Sequence, residues 1–316
     1  MPYKTSFPHQ LNPGHRACAG CGLALSARHV ANAAGKNTII ANATGCLEVF
    51  STPYPQSAWK MPWIHSLFEN SSAVASGIYA SLKKRGLAGR NASESPLGDS
   101  DETRGVDEKI KVIAQGGDGA TFDIGFGLIS GMWERGEDIL YVCYDNEAYM
   151  NTGIQASGAT PYGASTTTAP SGDMSEGNEL HKKDMIAIAL AHGLNYVATS
   201  TCAYPLDIQQ KVKKALATPG PSYLQILTAC VPGWKVESDM TLELGRLAHK
   251  TGLYPVVEFV DGKLAKVMPY PAARPKVEEY LKPQGRYKHL FKDENGAAVI
   301  KKIQEIADYN IEKYRN

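Results

Sequence analysis

Four cysteines and one Gly-Asp-Gly are the residues whose types and spacing could do chemistry. Cys18 and Cys21, in HRACAGCGLALSARH (15–29), have the spacing at which one metal ion or cluster takes both thiolates. A closed site wants four ligands, and the chain has no second C-x-x-C. Cys46 and Cys230 each follow an apolar run, in TGCLE and ACVPGW. Three readings stay open on spacing alone: a [4Fe–4S] cluster on Cys18, Cys21, Cys46 and Cys230, a structural Zn²⁺ with His15 replacing one thiolate, or a redox-active dithiol at Cys18 and Cys21. Cys143, inside a run, and Cys202, after one without a turn motif, read as buried inert thiols. Gly117-Asp118-Gly119 points to a diphosphate. Glycine lets the backbone approach phosphate, and a helix expected from Asp123 would aim its N-terminus there. The carboxylate between the glycines would repel phosphate unless Mg²⁺ bridges them. Asn146, in DNEAYMNTG, comes one helix and one strand later, an offset that brings it to the same ion. Alone, Gly-Asp-Gly is as readily a tight turn with a capping Asp, and the second motif favours the diphosphate. His65 and His181 could serve as acids or bases, although a lone histidine is more often only hydrogen-bonded.

These residues need a frame. Runs at 37–43, 109–115, 138–144, 195–200 and 222–228 read as strands, and 23–34, 70–84, 123–136, 181–193 and 204–217 as helices. The alternation predicts an α/β fold with a doubly wound, mainly parallel sheet covered on both faces. Such sheets bind ligands outside the carboxyl ends of their strands. Four of the five strand runs are followed there by Cys or by Gly/Asp/Asn chemistry. The tail predicts a hairpin over 256–269, turning at Asp261-Gly262, and a last helix with Val299, Ile303, Ala307 and Ile311 on one face. The expected division is a site-bearing domain, 1–235, and a C-terminal extension, 236–316, packing on it or on a partner subunit.

Composition narrows the class. The 316 residues are 43% apolar and 21% charged with net charge +1, so neither nucleic acid nor an acidic partner is indicated. The longest clean apolar run, MIAIALA (185–191), is too short to span a bilayer, and the N-terminus shows no secretory h-region. A cytoplasmic protein without membrane contact is expected, its six cysteines being ligands or thiols rather than disulfides. The acidic, apolar-poor stretch 89–109 reads as an exposed loop, its Asn91 sequon as chance. The Ser/Thr/Gly-rich stretch 152–173 reads as a loop able to close over a site.

Gly-Asp-Gly followed by the Asn segment is also a thiamine diphosphate fingerprint. RACAGCG, NATGCLEVFSTPYPQSAWKMPWIHSLFEN, GGDGATFDIGFGLISGMWERGEDILYVCYDNEAYMNTGIQASGATPYGA and CVPGW together resemble the beta subunits of pyruvate:ferredoxin oxidoreductases, in the 2-oxoacid:ferredoxin oxidoreductase family. The likeness covers roughly 12–235, and VEEYLKPQGRYKHL (277–290) adds to it. It implies a thiamine-type fold and oxidative decarboxylation of pyruvate with coenzyme A. Electrons would pass from thiamine diphosphate through a [4Fe–4S] cluster to ferredoxin. Cys18, Cys21, Cys46 and Cys230 match the cluster ligands. Asp118, the Asn146 side chain and the Ala148 carbonyl match the Mg²⁺ ligands. Cys46, Gly117, Gly119, Ala120 and the stretch Glu147, Ala148, Tyr149, Met150 and Asn151 match the cofactor cradle. Phe68 matches a ring near the cofactor, and Asn151 a polar group beside the reactive carbon. The likeness further implies an alpha subunit supplying the aminopyrimidine Glu, and gamma and delta subunits. Oxalate or another 2-oxo acid is the alternative substrate, and a non-oxidative thiamine decarboxylase the alternative class. The chain departs from the family at Val231-Pro232, where relatives often carry Pro-Thr after the cysteine, a change that could alter the hydrogen bonds around a cluster.

Overall fold

The computed structural model describes residues 9–89 and 109–315. The acidic stretch expected to be a loop lies largely outside the described residues. In chain order the strands are β1 (Thr38–Asn42), β2 (Trp63–His65), β3 (Lys111–Gly117), β4 (Leu140–Asp145), β5 (Ser171–Gly172), β6 (Ser175–Glu176), β7 (Tyr196–Thr201), β8 (Ser222–Leu227), β9 (Val257–Val260) and β10 (Lys263–Val267). The α-helices are α1 (Gly22–Ala34), α2 (Cys46–Ser51), α3 (Ser71–Lys84), α4 (Phe126–Glu134), α5 (Met185–Ala191), α6 (Pro205–Ala217), α7 (Val231–Trp234), α8 (Thr241–Lys250), α9 (Val277–Leu281) and α10 (Glu294–Lys313).

Eight strands form one sheet in the order β10-β9-β7-β8-β4-β3-β1-β2. The six from β7 to β2 run parallel, and the β9–β10 hairpin joins antiparallel on β7. All five strands expected from sequence are present, as is the hairpin. Its Asp261 and Gly262 take φ of 49° and 74°, the left-handed pair of a two-residue turn. Near-continuous apolar strands arise because both faces are covered. Along β4, Leu140, Val142 and Tyr144 join one apolar layer with α1 and α6, while Tyr141 and Cys143 join the opposite layer with α3, α4 and α5. A third cluster gathers Leu227 and Trp234 with Leu281, Tyr287, Val299 and Ile303, the apolar stripe of α10. Among the described residues no helix is long and apolar enough to cross a membrane.

Two helix boundaries differ from expectation at the site. Gly116 and Gly117 close β3 instead of forming a turn, and a π-helical segment, Gly119–Ile124, starts directly after Asp118. The regular helix begins only at Phe126. Gly125 is the reason for the break, since a Cβ there would sit 2.3 Å from the Ala120 carbonyl oxygen. The helical N–H groups therefore begin beside Asp118, closer to the strand end than expected. Helix α5 starts at Met185, later than the 181 expected.

Candidate active site at the carboxyl end of the sheet

After β1 the chain went out to β2, and β3 returns on the other side of β1. The crevice at that reversal is where an open α/β sheet binds its ligand. A pocket opens there, lined by segments 42–47 and 116–120, by Ala148–Thr152, and by Asn146 and Phe68. Register explains how distant motifs meet. Gly117 pairs with Tyr144, so Asp118 and Asp145 leave neighbouring strands side by side.

Asp118 is 1% exposed. Its Oδ1 accepts from the Asn146 backbone N–H at 3.2 Å and its Oδ2 from the Ser157 hydroxyl at 2.5 Å. Burial, with the charge of Asp145 behind it, pushes its carboxyl up to about 8. The Asn146 side-chain amide lies 2.8 Å from both Asp118 Oδ1 and the Ala148 carbonyl oxygen. With its NH₂ turned to them it donates to both. With its oxygen turned to them, three oxygens face one another, an arrangement that suits a cation. Those three groups are the set matched to Mg²⁺ on sequence. Gly119 is required by close approach, since a Cβ there would meet the Tyr149 ring at 2.3 Å. Phe68 packs on the other side, its ring 5.8 Å from that of Tyr149.

The cysteines differ in burial. Cys143 and Cys202 are fully buried, whereas Cys18 is exposed and Cys21, Cys46 and Cys230 are half-buried. The entry of α1 brings the pair at 18 and 21 to the end of β8. Gly22 N–H donates to the Ala229 carbonyl at 3.2 Å, and a Cβ on Gly22 would come within 2.8 Å of Ala229 N. Burial pushes the Cys46 thiol up to about 12, and the neighbouring Cys230, Cys21 and Cys18 add to it. Cys230 rises to about 11 for the same reasons, burial first. Cys46 also lines the pocket, and its Sγ lies 3.9 Å from Asn151 Oδ1. As placed, no group of three or more His, Cys, Asp or Glu side chains among the described residues is drawn close enough to hold a metal. His15 contacts Arg28 at 3.4 Å, His65 pairs with the Thr44 hydroxyl at 2.7 Å, and His181 stacks on Tyr162.

Glu147 is not among the described residues lining the pocket. Its backbone stays in the turn, at φ 70°, but its carboxylate points behind the pocket. There it meets Lys182 Nζ at 3.0 Å and the Arg286 guanidinium at 2.6 Å, and Lys182 also holds Asp145 at 2.6 Å. Sequence reasoning missed this network and Ser157. It also missed a polar chain under the pocket floor, where Tyr144 O–H donates to Gln115 and Gln115 to Asn42, at 3.1 and 2.8 Å. A signal existed: Asn42 and Gln115 are the polar residues ending otherwise apolar runs.

The fold and the pocket define a thiamine-dependent enzyme. Residues 43–226 match the family model of the thiamine pyrophosphate enzyme C-terminal, TPP-binding domain. A 2-oxoglutarate:ferredoxin oxidoreductase from Magnetococcus marinus, solved with 2-oxoglutarate, coenzyme A and succinyl-CoA bound, shares the fold at TM-score 0.56. It covers 92% of this chain and 94% of its own at 18% identity, so it bears on the fold alone. Curated relatives are closer. Pyruvate synthase subunit PorB of Methanocaldococcus jannaschii is 50% identical over 96% of both chains, and that of Methanosarcina barkeri 49% over 98% of both. Ketoisovalerate oxidoreductase subunit VorB of Pyrococcus abyssi is 43% identical over 93% of this chain and 89% of its own. The chain belongs to the PorB/VorB subunit family of 2-oxoacid:ferredoxin oxidoreductases, and it is one subunit of a multi-subunit enzyme.

Proposed function

We propose that this chain is the thiamine-bearing beta subunit of a pyruvate:ferredoxin oxidoreductase, converting pyruvate and coenzyme A to acetyl-CoA and CO₂. The observation that carries it is the meeting of Asp118, the Asn146 amide and the Ala148 carbonyl in a pocket whose wall includes Cys46. Asp118, Asn146 and Ala148 would hold Mg²⁺, and the backbone of Gly117, Gly119 and Ala120 would approach the diphosphate. Cys18, Cys21, Cys46 and Cys230 would ligate a [4Fe–4S] cluster, whose positive iron charge would favour the Cys46 thiolate that burial and the neighbouring cysteines now disfavour. Bound there, thiamine diphosphate would supply the carbanion and electron sink, and the cluster a one-electron acceptor that passes electrons on to ferredoxin. Asn151 would present its amide beside the substrate, and Phe68 its ring to the cofactor. Ser157 would hold the 152–173 loop over Asp118 and shut out water. No glutamate is among the described residues lining the pocket, in keeping with an alpha subunit that supplies the one facing the aminopyrimidine. Further subunits, gamma and delta, would complete the complex. Residues 236–316 are read as an extension of a thiamine domain at 1–235, and the location as cytoplasmic.

Pyruvate is the substrate chosen because the methanogen PorB relatives, at 50% and 49% identity, exceed the VorB relative at 43%, which Pyrococcus furiosus PorB only equals. That VorB relative supports a second reading, a branched 2-oxo acid. The test is anaerobic reduction of a viologen dye by the native complex, offered pyruvate, 2-oxoisovalerate, 2-oxoglutarate and oxalate, each with and without coenzyme A. Coenzyme A-dependent reduction with pyruvate is expected. Preference for 2-oxoisovalerate, or reduction by oxalate without coenzyme A, would overturn the substrate. Silence with every acid, from protein holding iron and thiamine, would overturn the oxidoreductase reading.

A further inference from the structure

Arg286 lies in VEEYLKPQGRYKHL (277–290), far in sequence from the Gly-Asp-Gly and cysteine motifs, and it is 3% exposed. A buried guanidinium must satisfy a fork of donors, so its partners show what it holds. One arm donates to Glu147 Oε2 at 2.6 Å, inside the turn that carries Asn146 and Ala148. Its Nε donates to Gln284 at 2.8 Å, which fixes the plane of the fork. That plane lies 4.0 Å over the Trp234 ring. Trp234 in turn donates its indole N–H to the Asn146 carbonyl at 2.9 Å, and its backbone N–H to the Cys230 carbonyl at 2.8 Å. The Arg286 carbonyl accepts from Ser165 N–H at 3.0 Å, within the loop that also sends Ser157 to Asp118. Three parts of the site thus meet on one side chain and its own carbonyl.

We propose that Arg286 is a positioning residue that locks the Asn146 turn, the Cys230 segment and the 152–173 loop into one geometry. It touches neither cofactor nor substrate, and the proposal rests on the thiamine reading of the pocket. Charge alone does not explain the arrangement, because a lysine could neutralise Glu147 but could not fork to Gln284 and stack on Trp234.

The test uses the native complex carrying Arg286→Lys, with Leu281→Ala as control. Leu281 is fully buried in the same region and lines no part of the pocket. Thiamine diphosphate affinity is measured by calorimetry with Mg²⁺ present, beside kcat, KM and the melting temperature. Arg286→Lys is expected to weaken thiamine diphosphate binding and lower kcat by about 10- to 100-fold, the scale of lost outer-shell support. Leu281→Ala is expected to lower the melting temperature and leave affinity within about twofold of wild type, since cavity formation costs stability locally. Equal affinity and kcat in Arg286→Lys would overturn the proposal. So would an equal affinity loss in Leu281→Ala, which would reduce the effect to general loosening. If Arg286→Lys failed to assemble, Arg286→Gln and Glu147→Gln would be measured instead, and failure of all three would assign Arg286 to stability alone and overturn it. A wild-type complex that took up no thiamine diphosphate would sink the reading of the pocket, a result distinct from any of these.

Discussion

Asp118 and Glu147 stand at the ends of neighbouring strands and are almost equally hidden, 1% and 5% exposed. Their surroundings differ in kind. Asp118 is bonded to neutral donors, a hydroxyl and an amide, and burial pushes its carboxyl up to about 8. Burial pushes Glu147 up as well, but the charges of Lys182 and Arg286 and their hydrogen bonds outweigh it and hold it below the usual range. The chain completes the second acid by itself. Among the described residues it gives the first no bonded cation, as the proposed Mg²⁺ site would require. On that proposal the paired carboxylate holds shape, and the one bonded to neutral donors binds.

The sharpest way to break this contrast is to remove a cation from the paired side. Lys182→Met would leave Glu147 with Arg286 alone and Asp145 without its cation. The expected loss is about 3–5 kcal/mol in a denaturant melt of the complex, the scale of an orphaned buried charge. A loss below about 1 kcal/mol, typical of exposed pairs, would show that water reaches the network and that it fixes nothing.

On the other side the contrast predicts the opposite sign for stability. Asp118→Asn keeps the shape and removes a buried ionisable group that no cation among the described residues is bonded to. Without cofactor the variant is expected to melt at or above the wild-type temperature. Its affinity for thiamine diphosphate with Mg²⁺ is expected to fall by about 10- to 100-fold, measured by calorimetry. A variant that melted far lower yet bound the cofactor normally would reverse the roles assigned to the two acids.

The two regions were not equally legible. The residues proposed to bind stand out in the sequence, because the chemistry restricts both type and spacing: Asp118 between glycines, Asn146 a helix and a strand later, Cys18 and Cys21 as a pair. The sheet was legible because its strands, buried on both faces, read as apolar runs. The holding residues were not. Lys182, Arg286 and Trp234 meet Glu147 and Asn146 only through tertiary packing, and nothing in the local sequence says which acid a distant cation will find. The Glu147 side chain could not be placed for that reason: it sits inside the Asn146 turn, at φ 70°, with its carboxylate on Lys182 and Arg286 and not on the pocket. The π-helical start at Gly119 was equally hidden, since it depends on the Glu69 and Ala120 carbonyls crowding Gly125.

A smaller effect sharpens the geometry of the binding side. Gly119→Ala would place a methyl 2.3 Å from the Tyr149 ring. The ring must move, at a cost of about 1–3 kcal/mol for overpacking, and it moves within the pocket wall. Stability and cofactor affinity should therefore fall together, unlike their separation in Asp118→Asn. A loss of stability with affinity intact, again by melting and calorimetry, would take Tyr149 out of the wall that meets the cofactor.

The smallest effect lies on helix α8 and tests whether burial alone sets a sign. His249, on that helix, is 2% exposed, stacked on Tyr270 at 4.9 Å, and its Nδ1 has no hydrogen-bond partner among the described residues. Burial lowers its pKa below the ordinary 6.5, with the Lys211 charge adding and the Pro269 carbonyl and Asp207 opposing. Between the lowered folded value and 6.5 the unfolded chain binds more protons. Stability from this group is then complete above pH 6.5 and is lost as pH falls through the folded value. Asp118 behaves in the opposite sense, since its raised pKa makes the folded chain the better proton binder up to about pH 8. Melting curves of wild type and His249→Gln between pH 5 and 8 separate the two. The variant is expected to lose less stability than wild type on acidification below 6.5, and to match its trend above. Parallel curves across the whole range would mean that the His249 pocket admits enough water to hydrate the imidazolium, and that burial in the C-terminal region is shallower than burial at Asp118.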